Sequence, residues 1–105
     1  MAYDLMTGNG IHVKDNPTII AGIEFDEYPA ICSLLKKVDS HFLNLISNLF
    51  EDQKFGREQL ITAQKQLLDM MPMELKTDEL NLLYKLISVV SYALVKEETL
   101  FGVAD

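Results

Sequence analysis

The chain has 105 residues, of which 49% are hydrophobic, 16 are acidic and nine are basic, giving a net charge of −7. This length fits one domain, residues 1–105, and this hydrophobic content excludes a disordered protein. The single cysteine, Cys32, excludes an internal disulfide. The negative charge disfavours direct contact with nucleic acid or an anionic membrane and favours a partner with a basic surface, although it also serves solubility alone.

The first 25 residues are richer in turn-forming residues than the rest of the chain. Two short β-prone runs, Ile11–Val13 and Ile19–Ala21, lie among residues such as Gly10 and Pro17. They predict either a hairpin that turns at residues 15–18 or an irregular arm packed by its isoleucines. The opening residues lack a basic patch followed by an apolar run, so no signal peptide is predicted and a cytoplasmic location is expected.

A long amphipathic helix is predicted over residues 26–50. Asp26 is a good N-cap, Glu27 places negative charge at the positive end of the helix dipole, and Pro29 fits a first turn. The apolar residues keep one helical phase: Ile31, Leu34, Leu35, Val38, Phe42, Leu45, Ile46 and Leu49. Because this phase does not slip at Asp39–Ser40, one continuous helix is favoured over a kinked one. The opposite face, which should meet solvent or a partner, carries Ser33, Lys37, Ser40, Asn44 and Ser47.

Two further helices are predicted, over residues 57–71 and 78–96, and Pro72 ends the first of them. The second is apolar almost all round along Leu80–Val95, which indicates a helix buried at the centre of the protein. Lys85 in its middle argues against a membrane span. The apolar residues of the C-terminal tail are expected to pack on the helices. The predicted fold is therefore all-α: a small bundle of three main helices with an N-terminal arm or short β-hairpin.

The sequence contains no motif for a metal, a cofactor or a catalytic centre. His12 and His41 lack a metal-ligand spacing, and Cys32 has the character of a small buried hydrophobe. The paired carboxylates fit helix ends more simply than acid–base catalysis. A non-enzymatic protein without cofactors is therefore expected. Three methionines either fill gaps in the core or line a binding groove: Met70, Met71 and Met73.

Three acidic clusters supply the candidate residues of a partner interface. They are Glu24, Asp26 and Glu27; then Glu51 and Asp52; then Glu97 and Glu98. At 1.5 Å per residue, one helix of about 25 residues would hold the first two clusters roughly 37 Å apart. An antiparallel bundle would place the third cluster beside the second.

Three phrases carry a resemblance to a known family: Gly22–Tyr28 (GIEFDEY), Phe50–Asp52 (FED) and Leu100–Asp105 (LFGVAD). Together with the acidic character of the chain, they resemble the immunity proteins of bacterial contact-dependent growth inhibition systems. This resemblance implies a cytoplasmic binding protein without enzymatic activity, whose partner is a toxin domain delivered by a neighbouring cell, often a nuclease. The alternatives are a helical adaptor that binds a partner helix in a Met-lined groove, and a small enzyme. An apolar flank around Leu43 and Phe50 is compatible with a monomer or a weak dimer.

Overall fold

A four-stranded antiparallel sheet stands beside the helices, so the predicted all-α fold is wrong. The computed structural model describes residues 2–104. They contain the strands β1 (Ala2–Gly8), β2 (Thr18–Glu24), β3 (Gln53–Phe55) and β4 (Thr99–Val103), and the helices α1 (Tyr28–Lys37), α2 (His41–Ile46), α3 (Arg57–Asp69) and α4 (Thr77–Lys96). The strand order is β2-β1-β4-β3. One hydrophobic core joins sheet residues such as Leu5 and Leu100 to helix residues such as Leu34 and Leu83.

An N-terminal hairpin forms, but its first strand lies earlier in the chain than predicted, and residues 9–17 connect the strands where a turn at residues 15–18 was expected. β2 includes Ile19–Ala21 as expected, whereas Ile11–Val13 is not a strand and leads into a 3-10 turn. β1 instead pairs Tyr3 with Ile23 across the hairpin. Burial alternates from Tyr3 to Thr7, because Tyr3, Leu5 and Thr7 are buried and the residues between them are partly exposed. This period of two marks a strand that has one face on the core.

The C-terminal tail completes the sheet and does not merely pack on the helices. β4 lies between β1 and β3, where Leu100 pairs with both Thr7 and Phe55. Leu100 is fully buried, as a residue in the middle of a sheet with one covered face should be. Asp105, which ends the third phrase of the resemblance, lies outside the described residues.

The helix predicted over residues 26–50 is broken into three parts, so that prediction is wrong. Phe25–Glu27 forms a 3-10 turn and α1 ends at Lys37. Val38 then adopts an extended conformation (φ −142°, ψ 151°), and the short helix α2 follows. The break redirects the chain, which brings Phe50, the last residue of the predicted helix, back to Phe25, the residue before its start.

Ser40 explains where the break falls. Its Oγ accepts a hydrogen bond from the Leu43 N–H (3.2 Å) and donates one to Gln66 Oε1 of α3 (3.1 Å). A serine that caps a helix in this way competes with continuation of the preceding helix. Ser40 is accordingly buried, whereas the helical pattern predicted that it would face solvent.

Ser40→Ala is expected to lower the free energy of unfolding by about 1.5 kcal/mol, because the helix cap and the contact with Gln66 are lost together. Urea unfolding measures this change. Ser88→Ala, at an exposed position in α4, is the control and should change the free energy by less than about 0.5 kcal/mol. Equal stability of the two variants would contradict the assigned role of Ser40.

The two remaining helices lie where the sequence predicts them. α3 and α4 match the spans 57–71 and 78–96 to within two residues at each end. The buried apolar face of α4 consists of Leu82, Leu83, Leu86, Val89, Val90 and Ala93. It packs on α3, α1 and two strands, as expected of a central helix. Within residues 2–104, no helix combines the length and the apolar content that crossing a bilayer requires.

A buried carboxylate, Glu79, ties α1 to the start of α4. It accepts hydrogen bonds from the Lys76 N–H (2.9 Å), Lys37 Nζ (2.9 Å) and Ser33 Oγ (2.7 Å). These contacts, led by the Lys76 amide, lower the pKa of Glu79 from its ordinary value of 4.5 to about 2. The charged form is therefore the one that the fold stabilises.

The contribution of Glu79 to stability should be complete above pH 4.5 and should be lost as the pH falls through its folded-state pKa of about 2. Glu79→Gln removes the charge, so we expect the free energy of unfolding at pH 7 to fall by about 2 kcal/mol and to depend less on pH between 4.5 and 2. Thermal melts across this range measure both effects. The control, exposed Glu74→Gln, should follow the wild-type curve, and a Glu79→Gln curve that also followed it would contradict this assignment.

Candidate functional site

Three aromatic side chains form an exposed patch at the junction between β2 and α1. Phe25 and Tyr28 are each 44% exposed, and Phe50 is 74% exposed. The rings of Phe25 and Phe50 have centroids 6.0 Å apart and are tilted by 41°. A shallow groove of about 510 Å³ runs along the patch and is also lined by Ser47, Asn48 and Leu49. We call this surface, Phe25, Tyr28 and Phe50 with the groove, the aromatic patch.

Lys85 and Glu27 hold the turn that carries Phe25. Lys85 Nζ donates to Glu27 Oε1 (2.7 Å) and Oε2 (2.9 Å) and also to the backbone oxygen of Gly22 (3.0 Å). Glu27 Oε1 accepts the N–H of Glu24 as well, at 3.0 Å. The lysine that interrupts the apolar central helix therefore fastens α4 to the end of β2. Glu27, a predicted interface residue, is occupied by this internal contact.

The turn that carries Phe50 is held by three hydrogen bonds. The Phe50 N–H donates to Asn48 Oδ1 at 3.3 Å. The Tyr3 hydroxyl donates to the backbone oxygen of Glu51 at 3.0 Å, and the Ala104 N–H donates to Asp52 Oδ1 at 2.8 Å. Both halves of the aromatic patch are thus anchored to the sheet and its ends.

The first two acidic clusters lie on the same end of the molecule, which corrects the predicted separation of roughly 37 Å. Glu24 and Asp26 adjoin Phe25, Glu51 and Asp52 adjoin Phe50, and all four carboxylates are exposed. Burial, followed by the charges of Asp52 and Glu51, raises the pKa of Tyr3 to about 12. Negative potential is therefore concentrated beside the aromatic patch. We call Glu24, Asp26, Glu51 and Asp52 the acidic rim.

The third acidic cluster lies elsewhere, so the expectation that it joins the second is wrong. Phe55 pairs with Leu100 and Gln53 with Gly102, which fixes the direction of β4 against β3. Asp52 consequently meets Ala104, while Glu97 and Glu98 lie at the opposite end of the strands. There they line a cavity of about 190 Å³ together with Arg57.

Two side chains with reactive groups are Cys32 on α1 and Glu79 at the start of α4. Cys32 is half-buried one turn after Tyr28, and its hydrogen bond raises the pKa of the Tyr28 hydroxyl, which remains protonated at neutral pH. The low pKa of Glu79 makes it a poor general base at neutral pH. Among the described residues, no three His, Cys, Asp or Glu side chains converge as a metal site would require.

Met70 is buried in the core, which removes one side chain from the predicted Met-lined groove.

The sequence pattern indicates the aromatic half of the site only in part. Phe25 stands only within a phrase of the family resemblance, whereas Phe50 also belongs to the predicted apolar flank, of which Leu43 is buried and Phe50 is exposed. The available signal was local: each phenylalanine is followed directly by acidic residues, a composition that is unusual for a side chain destined for the core.

Fold and site together define an α+β protein with a preformed aromatic surface that has an acidic rim. Searches of protein-family models, of curated proteins and of solved structures return no match to the chain.

Proposed function

We propose that the protein is a non-enzymatic immunity protein, which acts in the cytoplasm by binding and neutralising a cognate toxin domain through the aromatic patch and its acidic rim. The observation that carries the proposal is the exposed Phe25–Phe50 pair lying among four exposed carboxylates. The family resemblance supplies the class of partner, and the surface supplies the mode of binding.

The exposed aromatic rings support binding to another protein. Large apolar side chains clustered on a surface mark interaction sites, and aromatic residues are enriched among those that dominate binding energy. Phe50 keeps three quarters of its surface in water, whereas Phe42 and Phe55 are buried against each other. A partner that covers the aromatic patch would remove this apolar area from water and gain the corresponding free energy.

The acidic rim supports a basic partner. Opposite potentials on two surfaces accelerate encounter and select against wrong partners. A nuclease must present basic side chains to the phosphates of its substrate, and an acidic protein competes for those same side chains. A nuclease toxin domain therefore fits the rim better than an acidic or neutral partner does.

The anchoring of both turns favours tight binding. Glu27 is fixed by Lys85, and Glu51 and Asp52 are fixed by Tyr3 and Ala104. Because these turns are already held in place, association loses less conformational entropy than ordering two free loops would cost.

The neighbouring gene and a growth assay test the proposed function. We expect a gene for a large secreted protein directly upstream, and we expect co-expression of this chain to restore growth to cells that produce the C-terminal domain of that protein. In vitro, the association rate of the two purified proteins should fall steeply as salt is raised from about 0.05 M to 0.5 M, because the rim is screened. Absence of growth protection would overturn the proposed function.

A further inference from the structure

We infer that the groove of the aromatic patch receives an arginine side chain from the surface of the partner protein. The inference rests on the proposed function for the source of this arginine, but it concerns a narrower feature, the groove bounded by Phe25, Tyr28 and Phe50. The aromatic walls of this groove and the carboxylates at its edges indicate this occupant.

The walls of the groove are largely aromatic ring faces. Three of the six residues that line the groove are aromatic, and the tilted arrangement of Phe25 and Phe50 leaves both rings accessible. A cation placed over an aromatic face is attracted by the quadrupole of the ring, and a planar guanidinium also stacks on it. An apolar occupant would use the same rings but would leave the neighbouring carboxylates without any favourable contact.

The edges of the groove carry side chains that can accept hydrogen bonds. Asp26 and Glu51 follow the two phenylalanines, and neither side chain forms a hydrogen bond or an ion pair with other residues of the range 2–104. Ser47 and Asn48, whose side chains each carry an oxygen atom, also line the groove. The guanidinium of arginine carries five N–H donors in one plane and no acceptor, which suits an edge of this kind.

Lysine fits less well than arginine. Its ammonium group is compact and strongly hydrated, so it gains less from a shallow aromatic groove that stays open to water. Lys85, which contacts Glu27 in this turn, is already held by Glu27 and Gly22 and does not line the groove. The carboxylates of the rim thus stay available to a cation from outside.

Three five-residue peptides with a central arginine, lysine or citrulline between glycine and serine residues test this inference by nuclear magnetic resonance titration of the free protein. Citrulline keeps the shape of arginine without its charge. The arginine peptide should shift the amide signals of residues 25–28 and 47–51 and should bind about threefold to fivefold more tightly than the lysine peptide, with citrulline weaker still. Equal binding of the arginine and lysine peptides, equal binding of citrulline, or shifts confined to other residues would overturn the inference.

Phe50→Leu keeps an apolar side chain but removes the ring, and it should abolish the preference for arginine over lysine. Tyr84→Leu removes another exposed aromatic ring, which is 47% exposed and lies on α4 outside the groove, and it should leave the preference unchanged. An arginine preference that survives in Phe50→Leu would overturn the inference.

The failure of this inference is distinguishable from failure of the proposed function. If the peptides show no arginine preference while charge reversal of the rim still abolishes growth protection, the arginine site is wrong and the docking surface stands. If the peptides behave as expected but the wild-type chain gives no growth protection, the arginine site stands and the proposed function is wrong.

Discussion

Leu83→Asp is expected to unfold the protein at 25 °C. Leu83 is fully buried in the middle of α4, within the core that joins helices and sheet. A buried carboxylate without a partner costs several kcal/mol, and the packing of leucine is lost as well. Domains of this size have a total stability of about 5–15 kcal/mol, so this substitution removes most or all of it. Circular dichroism should show the loss of the cooperative thermal transition.

Tyr84→Asp is the matched control, because it places the same charge on the next residue of the same helix. Tyr84 is 47% exposed, so its aspartate stays hydrated and the free energy of unfolding should change by only about 1 kcal/mol. A Leu83→Asp protein with the melting temperature of the wild type would contradict the central position of α4.

The double charge reversal Asp26→Lys, Glu51→Lys is expected to abolish growth protection and to slow association with the toxin domain at least tenfold at low salt. Both side chains flank the aromatic patch, and neither has a structural contact within the described residues. The fold should therefore survive, and the loss should appear in the association rate. Asp52 is left unchanged because it holds the Ala104 N–H.

The matched control reverses Glu97 and Glu98, the acidic pair at the other end of the sheet. Each double variant changes the net charge of −7 by four units, so both proteins carry −3 and differ only in where the charge has changed. We expect Glu97→Lys, Glu98→Lys to protect cells and to associate within about threefold of the wild-type rate. If this control loses protection and the rim variant keeps it, the interface lies at Glu97 and Glu98.

The helices that the sequence predicts correctly are those whose signals are local. Along α3 and α4 the apolar period agrees with breakers at the ends, such as Gly56 and Pro72, so both position and burial follow. The same period misleads over residues 26–50. There it continues across the break, because α1 and α2 both present an apolar face to one core, while the decisive contact is a single serine cap at Ser40.

The sheet could not be predicted from the sequence for a different reason. β1 and β4 pair although almost the whole chain separates them, and a pairing of this kind leaves no local pattern beyond two short alternating runs. The acidic residues of the site could be named from composition. Their assembly beside Phe25 and Phe50 could not, because it depends on the break at Ser40 and on the contacts of Lys85 and Tyr3 with distant backbone atoms.

Amide hydrogen exchange of the protein, free and bound to the toxin domain, tests the location of the docking surface most directly. Binding through the aromatic patch predicts that exchange slows at least about tenfold at residues 25–28 and 47–52, with no change at residues 97–99. Unchanged exchange at both turns of the patch, with protection confined to residues 97–99 or to the exposed face of α4, would contradict it.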